Sequence, residues 1–311
     1  MNSSAAREPR WSNASGAATA SVLLAATLFG TTGTALALGP NGMGAISAGI
    51  LRLLIGGLGL IVVALLTNSP FKTLRPSQGV IFLGALAVAA YQLCFFYATT
   101  STGVALATVV TIGSSPLAAR GIGTLRRRPS PGSWWAVSAG LLLVGLVLLV
   151  LGSGGEASFS LGGIATALIA GISYAAYTEC GSMSLATGSS PTSTMAAMFF
   201  GGGILASPLL ISQDLNWLGD PSGLFTIAYL SLVTLSLAYV WFGWGLKHLP
   251  PTSVVMLTMF EPVVAAVLAI VILDEELTLL AWIGIVVVLI GLSVVGRASR
   301  RTHAQPATVA T

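Results

Sequence analysis

In a chain of 311 residues, 55% are hydrophobic and only 7% are charged, with a net charge of +4 and a mean hydropathy of +0.91. A water-soluble domain carries roughly a quarter charged residues, so this chain lacks the charge to cover its own surface in water and belongs in lipid. Its basic residues sit in short links and tails rather than along one face, which excludes a nucleic-acid binder.

Ten apolar segments have spanning length. In the first half they are Ala17–Leu38, Ala45–Leu66, Val80–Ala98, Gly103–Gly123 and Ser133–Leu151. In the second half they are Leu161–Leu185, Ser193–Ile211, Ser222–Leu246, Thr252–Leu273 and Leu277–Gly296. The links are short and rich in turn formers, as at Gly39-Pro40-Asn41-Gly42 and Pro129-Ser130-Pro131-Gly132. The first run follows Arg7 and Arg10 like a leader peptide, but it is long and nine more spans follow, so it reads as a membrane span. Cys94 and Cys180 both fall inside apolar runs and read as packing residues rather than a disulfide.

Lysine and arginine placement sets orientation. With a cytoplasmic N-terminus, one side holds Arg7, Arg10, Lys72, Arg75, Arg126-Arg127-Arg128, Lys247, Arg297, Arg300 and Arg301. The opposite loops hold no lysine or arginine and carry Glu156, Asp214, Asp220 and Asp274-Glu275-Glu276. Both termini are therefore expected in the cytoplasm, with ten spans of a cell membrane between them.

Shifting the chain against itself by 146 residues lays Pro116 on Pro262 and Gly145 on Gly291. A shared plan of span, short loop and span surrounds both anchors. Five spans per half is an odd number, so the halves enter the membrane from opposite sides. Secondary transporters are often built as such inverted repeats, with the substrate site between the halves.

Four charges lie within spans: Arg52, Arg120, Glu179 and Glu261. Each costs about 2.5–3.5 kcal/mol at a helix centre and so needs a partner or water. Matching depths suggest Arg52 with Glu261 and Arg120 with Glu179. Snorkelling to the interface is the alternative for Arg120 and Glu179, and a static packing pair the alternative for Glu261. Pro116 and Pro262 each remove a helical hydrogen bond in mid-span, for gating or simply for packing. Tyr91, Phe95, Tyr174, Tyr177 and Tyr239 lie deep in their spans, where a polar cavity would satisfy the tyrosine hydroxyls. Thr31, Thr32, Thr34 and Ser173 are further candidate contacts, unless they hydrogen-bond to their own helices.

Absent motifs exclude several classes. Neither lysine follows a phosphate-binding glycine loop; there is no HExxH and no GxSxG, and the aspartates occupy loops. No enzyme chemistry, metal or cofactor is expected. An intramembrane enzyme remains the different-class alternative.

The run from Leu246 to Val295, LKHLPPTSVVMLTMFEPVVAAVLAIVILDEELTLLAWIGIVVVLIGLSVV, resembles the C-terminal half of an EamA domain of the drug/metabolite transporter superfamily. It has a basic-proline entry, a mid-span Glu-Pro, an acidic end before Leu-Thr, and a glycine-containing last span. LRLLIGGL from Leu51 and FFYATTSTGVALATVVTIGSSPL from Phe95 resemble the first half of the same domain. The resemblance implies an all-α membrane protein of ten helices in two inverted five-helix repeats, at residues 17–151 and 161–297. Residues 1–16 and 298–311 are then cytoplasmic tails, expected to be disordered. Also implied is export of small metabolites, most commonly amino acids including aromatic ones. Arg52, Pro116, Glu261 and Pro262 carry over as coupling or gating positions. The first repeat departs from the pattern, with Ser115 before Pro116 and Arg126–Arg128 where the acidic turn would stand. The expectation is a secondary exporter of amino acids working by alternating access, with protons as a candidate coupling partner and a drug or nucleotide-sugar carrier as the alternative.

Overall fold

The computed structural model describes residues 11–128, 132–152, 160–274 and 276–302. Among these residues there is no strand, and ten helical spans follow one another. They are span one (Trp11–Ala37), two (Ala45–Leu66), three (Gln78–Thr102), four (Val104–Leu125) and five (Ser133–Gly152). Span six (Leu161–Ala186) and span seven (Pro191–Ala206) follow, then span eight (Pro221–His248) and span nine (Pro251–Leu273), then span ten (Leu279–Thr302). Nine of them are long and apolar enough to cross a membrane. Span four has the length, 22 residues, but its apolar run is diluted by Thr108, Thr111, Ser114, Ser115 and Arg120.

Helix extends beyond the expected limits at both ends. Span one begins at Trp11 and span ten continues to Thr302, so residues 11–16 and 298–302, expected as disordered tail, are helical. Residues 1–10 and 303–311, with Arg7, Arg10 and His303, lie outside the described residues, as do Glu156 and Glu275.

Leu58, Val62, Phe82, Leu86, Val144, Ile172, Phe225, Val271 and Val286 are all exposed. A surface of large apolar side chains is what a lipid solvent demands. Lys72, Arg75, Arg126, Arg127, Arg128, Lys247 and Arg297 gather at one end of the bundle, and Asp214, Asp220, Asp274 and Glu276 at the other. Links at each end are tied together. Ser189 Oγ donates to the Thr73 carbonyl at the basic end, while Thr278 Oγ1 donates to the Gly152 carbonyl and Trp217 Nε1 to Ser47 Oγ at the acidic end.

The packing of the spans obeys a twofold rule in which span n and span n+5 are equivalent. Span two packs on seven and span five on ten. Span three packs on six, and its counterpart eight packs on one; four packs on six, and nine packs on one; three packs on seven, and eight packs on two. With five spans per half, the axis relating the halves lies in the membrane plane. Gly145 and Gly291, the pair matched at an offset of 146, both serve the contact of span five with span ten. A Cβ on Gly145 would meet the Val288 nitrogen at 2.7 Å and the Gly284 carbonyl at 2.9 Å; one on Gly291 would meet the Leu142 side chain at 2.9 Å. Backbone approach this close is the usual way helices associate in lipid, where dispersion rather than hydrophobic burial drives contact.

Candidate functional site

Span nine breaks in its middle. Helix Pro251–Leu257 tightens into a 3-10 turn at Thr258–Phe260 and restarts as Glu261–Leu273. Pro262 has no N–H to offer the Thr258 carbonyl, and the Glu261 N–H takes that carbonyl instead. Glu261 therefore opens the second half-helix, where unpaired backbone N–H groups favour a negative charge.

Span eight is deformed at the same depth. Its turn widens to a π-helix over Leu232–Leu237, shifting carbonyls out of the α register. Arg52 of span two uses them: its Nε donates to the Leu230 carbonyl at 3.3 Å and its Nη2 to the Thr234 carbonyl at 3.0 Å. Ser236 Oγ donates to the Gly56 carbonyl of span two at 2.7 Å. A Cβ on Gly56 would meet the Ser231 carbonyl at 2.7 Å. The two backbones thus touch where the arginine crosses.

Between these deformations lies a cavity of about 120 Å³, walled by residues of both repeats. Arg52 and Glu261 both face it, with Tyr91, Gln92 and Phe95 from span three, Tyr174 and Tyr177 from span six, Phe199 from span seven and Tyr239 from span eight. Tyr91 stacks on Phe95 with centroids 5.9 Å apart, and Phe199 lies 3.9 Å from Tyr239. The Tyr177 and Tyr239 hydroxyls share a hydrogen bond of 2.8 Å, and Tyr174 is hydrogen-bonded to Thr258 Oγ1 at 2.5 Å, directly before the break of span nine. Leu36, Phe96 and Thr108 carry the lining toward the acidic end. Toward the basic end the interior is solid, with Met195, Phe242, Leu246, Val254, Met256 and Leu257 all buried. A typical ligand site measures roughly 300–1,000 Å³, so the walls stand close in this conformation.

The model of the EamA-like transporter family matches the chain twice, over residues 17–151 and 161–297. The chain belongs to this family. It is 36% identical over 282 residues to the uncharacterized transporter YwfM of Bacillus subtilis (strain 168), covering 90% of this chain and 94% of that one. A solved crystal structure superposes with a TM-score of 0.78 at 19% identity, over 92% of this chain and 98% of its own, which shows the fold. This EamA-like protein is accordingly a multi-pass membrane transporter and not an enzyme.

Of the residues singled out from sequence, the transporter brings Tyr91, Phe95, Tyr174, Tyr177, Tyr239, Thr32, Arg52 and Glu261 to the one cavity. Thr31 and Thr34 go elsewhere. They line a separate groove of about 420 Å³ near the acidic end, among spans one, eight and nine. There Thr31 Oγ1 donates to the Leu28 carbonyl and accepts from the Tyr229 hydroxyl at 3.0 Å. Successive residues on a helix point about 100° apart, so only Thr32 of the three turns inward. Ser173 is buried but outside the cavity lining, because Tyr174 and Tyr177 take the inward face of span six.

Neither expected charge pair forms. Arg52 and Glu261 share the cavity, but the arginine is held by backbone carbonyls and no ion pair joins the two. Glu179 is bound by Arg126 at 2.5 Å and Arg128 at 2.7 Å, while Arg120 donates to Thr124 Oγ1 one turn along its own helix. Depth alone pairs Glu179 with a cation on span four, whereas the basic turn after span four folds back over span six and arrives with two. Buried as it is, Glu179 does not snorkel to the interface.

The two prolines also differ. Span four runs unbroken through Pro116, whereas span nine breaks at Pro262. Beside Pro116, Ser115 Oγ donates to the Thr111 carbonyl at 2.6 Å and Thr111 Oγ1 to the Ala167 carbonyl of span six, so side chains hold the first-repeat helix in line. Cys94 and Cys180 are both free.

Gln92, Phe199 and the π turn were not anticipated. Gln92 sits inside the aromatic run of span three, YQLCFFY, where a lone amide among apolar residues was a visible signal. Phe199 carried no signal beyond its apolar context, and nothing in Leu232–Leu237 announces a widened turn.

Proposed function

We propose that this transporter is a secondary exporter of amino acids, of broad specificity that includes aromatic ones, working by alternating access about the central cavity. The observation that carries the reading is the cavity itself. It lies between the two repeats, where broken helices supply polar groups at membrane depth, and it combines eight aromatic side chains with one cation and one carboxylate among the described residues. Aromatic faces suit apolar and aromatic side chains, and the two charges suit the head group of an amino acid.

Orientation follows from charge. The basic end lies in the cytoplasm of the cell membrane, with both termini, and the acidic end faces outward. In the present conformation the cavity then reaches toward the outside, and the packed basic half closes the cytoplasmic route. Arg126 and Arg128 on Glu179 tie the turn after span four to span six at that closed end. Export requires the same residues to part and admit substrate from the cytoplasm.

The test is counterflow in liposomes containing the purified protein. Labelled L-phenylalanine or L-leucine should accumulate against an internal pool of the same amino acid, without ATP and with saturable kinetics. No flux above protein-free liposomes for any amino acid would end this reading.

A further inference from the structure

Three residues that line the central cavity, Arg52, Gln92 and Glu261, keep hydrogen-bonding capacity that the fold leaves unused. The Arg52 guanidinium has five N–H donors, of which one at Nε and one at Nη2 are held by the Leu230 and Thr234 carbonyls. The others find no acceptor among the described residues. Gln92 is 4% exposed, and its amide nitrogen is buried without a hydrogen-bond partner. The Glu261 carboxylate has neither a hydrogen bond nor an ion pair among the described residues.

The first two are neighbours. A Cβ on Gly49 would run into the Gln92 amide nitrogen, so that amide lies on the face of span two that carries Gly49. Arg52 stands three residues on, one turn along the same face. Two donors, one of them a fixed cation, therefore converge from spans two and three.

Buried donors and charges ordinarily have partners. Here the arginine and the glutamate share a cavity and leave each other unpaired. An anionic ligand would answer only one of them, and a cationic ligand only the other. A molecule carrying a carboxylate and an ammonium on one carbon answers both.

We propose that Arg52 and Gln92 form a carboxylate subsite in the central cavity, and that Glu261 takes the ammonium group of the same ligand. The cavity then selects zwitterionic α-amino acids over amines and carboxylic acids bearing the same side chain. This rests on the amino-acid reading above and adds which residue reads which end of the substrate. The π turn of span eight is a positioning element: it fixes the guanidinium so that its remaining donors point inward.

The test uses the full chain in lipid nanodiscs and three probes with one side chain: L-phenylalanine, phenethylamine and 3-phenylpropionate. The unaltered protein should bind L-phenylalanine more than about tenfold tighter than either relative, since each leaves a charge of the cavity unanswered. Arg52→Gln should lose that preference over phenethylamine while binding phenethylamine as before. Glu261→Gln should do the same with 3-phenylpropionate. Gln92→Leu separates subsite from packing, because removing an unpartnered buried amide should leave the melting temperature unchanged or raised. It should nonetheless weaken L-phenylalanine binding about three- to tenfold. The subsite is overturned if the three probes bind alike, if L-phenylalanine does not bind, if Arg52→Gln weakens all three equally, or if Gln92→Leu leaves affinity unchanged. Counterflow in liposomes separates the two readings. Flux of L-phenylalanine without end-group discrimination removes the subsite and leaves the carrier, whereas discriminating binding without flux removes the carrier and leaves the subsite.

Discussion

Among the described residues Glu261 is the only carboxylate on the cavity wall, and the groups lining it nearby are Arg52 and the tyrosines Tyr91, Tyr174, Tyr177 and Tyr239. Arginine and tyrosine as side-chain types do not change charge near neutral pH, and Glu179 sits apart with its two arginines. If Glu261 couples transport to protons, flux should vary with pH in the unaltered protein. Glu261→Gln, neutral at every pH, should flatten that dependence; counterflow measured over a pH series checks it, and an unchanged profile removes Glu261 as the coupling group. That this residue and Arg52 are special was readable in the sequence, because charge at membrane depth is costly wherever it occurs. How they are held was not. The carbonyls that bind Arg52 come from the π turn and the helix just before it, 178 to 182 residues away, and main-chain acceptors leave no mark in side-chain identity. Gln92 was legible as an amide among aromatics, but only the fold shows that its nitrogen lacks a partner.

At the scale of elements, the equivalent spans four and nine have become different devices. Both contain a proline at the same place in the repeat, and one helix is continuous while the other is broken at the cavity. If the break is a working joint, Pro262→Ala, which restores an N–H for the Thr258 carbonyl, should straighten span nine and slow counterflow severalfold while raising the melting temperature. Pro116→Ala should change flux little. Equal effects of the two substitutions would argue that both prolines merely pack. The interface of spans five and ten makes a separate prediction about stability. A Cβ on Gly284 would meet backbone atoms of Leu149 and Gly145, whereas one on Gly140 would meet nothing. Gly284→Ala should therefore destabilise by about 1–3 kcal/mol, and Gly140→Ala should be neutral or slightly stabilising; thermal melting of the two variants in detergent compares them. Span positions were legible throughout from length and hydropathy. The expected limits missed by several residues where polar or small residues at helix ends continue the helix, as at Trp11–Gly16 and Gln78–Gly79.

Over the whole molecule, the odd span count and the offset of 146 residues foretold two halves of opposite orientation, and the interspan contacts follow the twofold rule pair by pair. The symmetry is broken where function is expected. The second repeat contributes Glu261, the helix break and the π turn; the first contributes Arg52 and Gln92 and, from its basic turn, Arg126 and Arg128 on Glu179. Sequence matched charges by depth along each span and so missed which partners the turns would deliver, since a turn places side chains beyond the reach of helix geometry. Alternating access requires that the one cavity be exposed to one side of the membrane at a time. Thr32 lines it from span one, so the direct measurement is labelling of Thr32→Cys, in a chain whose Cys94 and Cys180 are replaced, by an impermeant maleimide applied to each face of sealed vesicles. Labelling should proceed from the acidic face at rest. It should appear from the basic face, with loss from the acidic one, when Glu179→Gln releases Arg126 and Arg128. Simultaneous labelling from both faces, or none from either, would contradict the account.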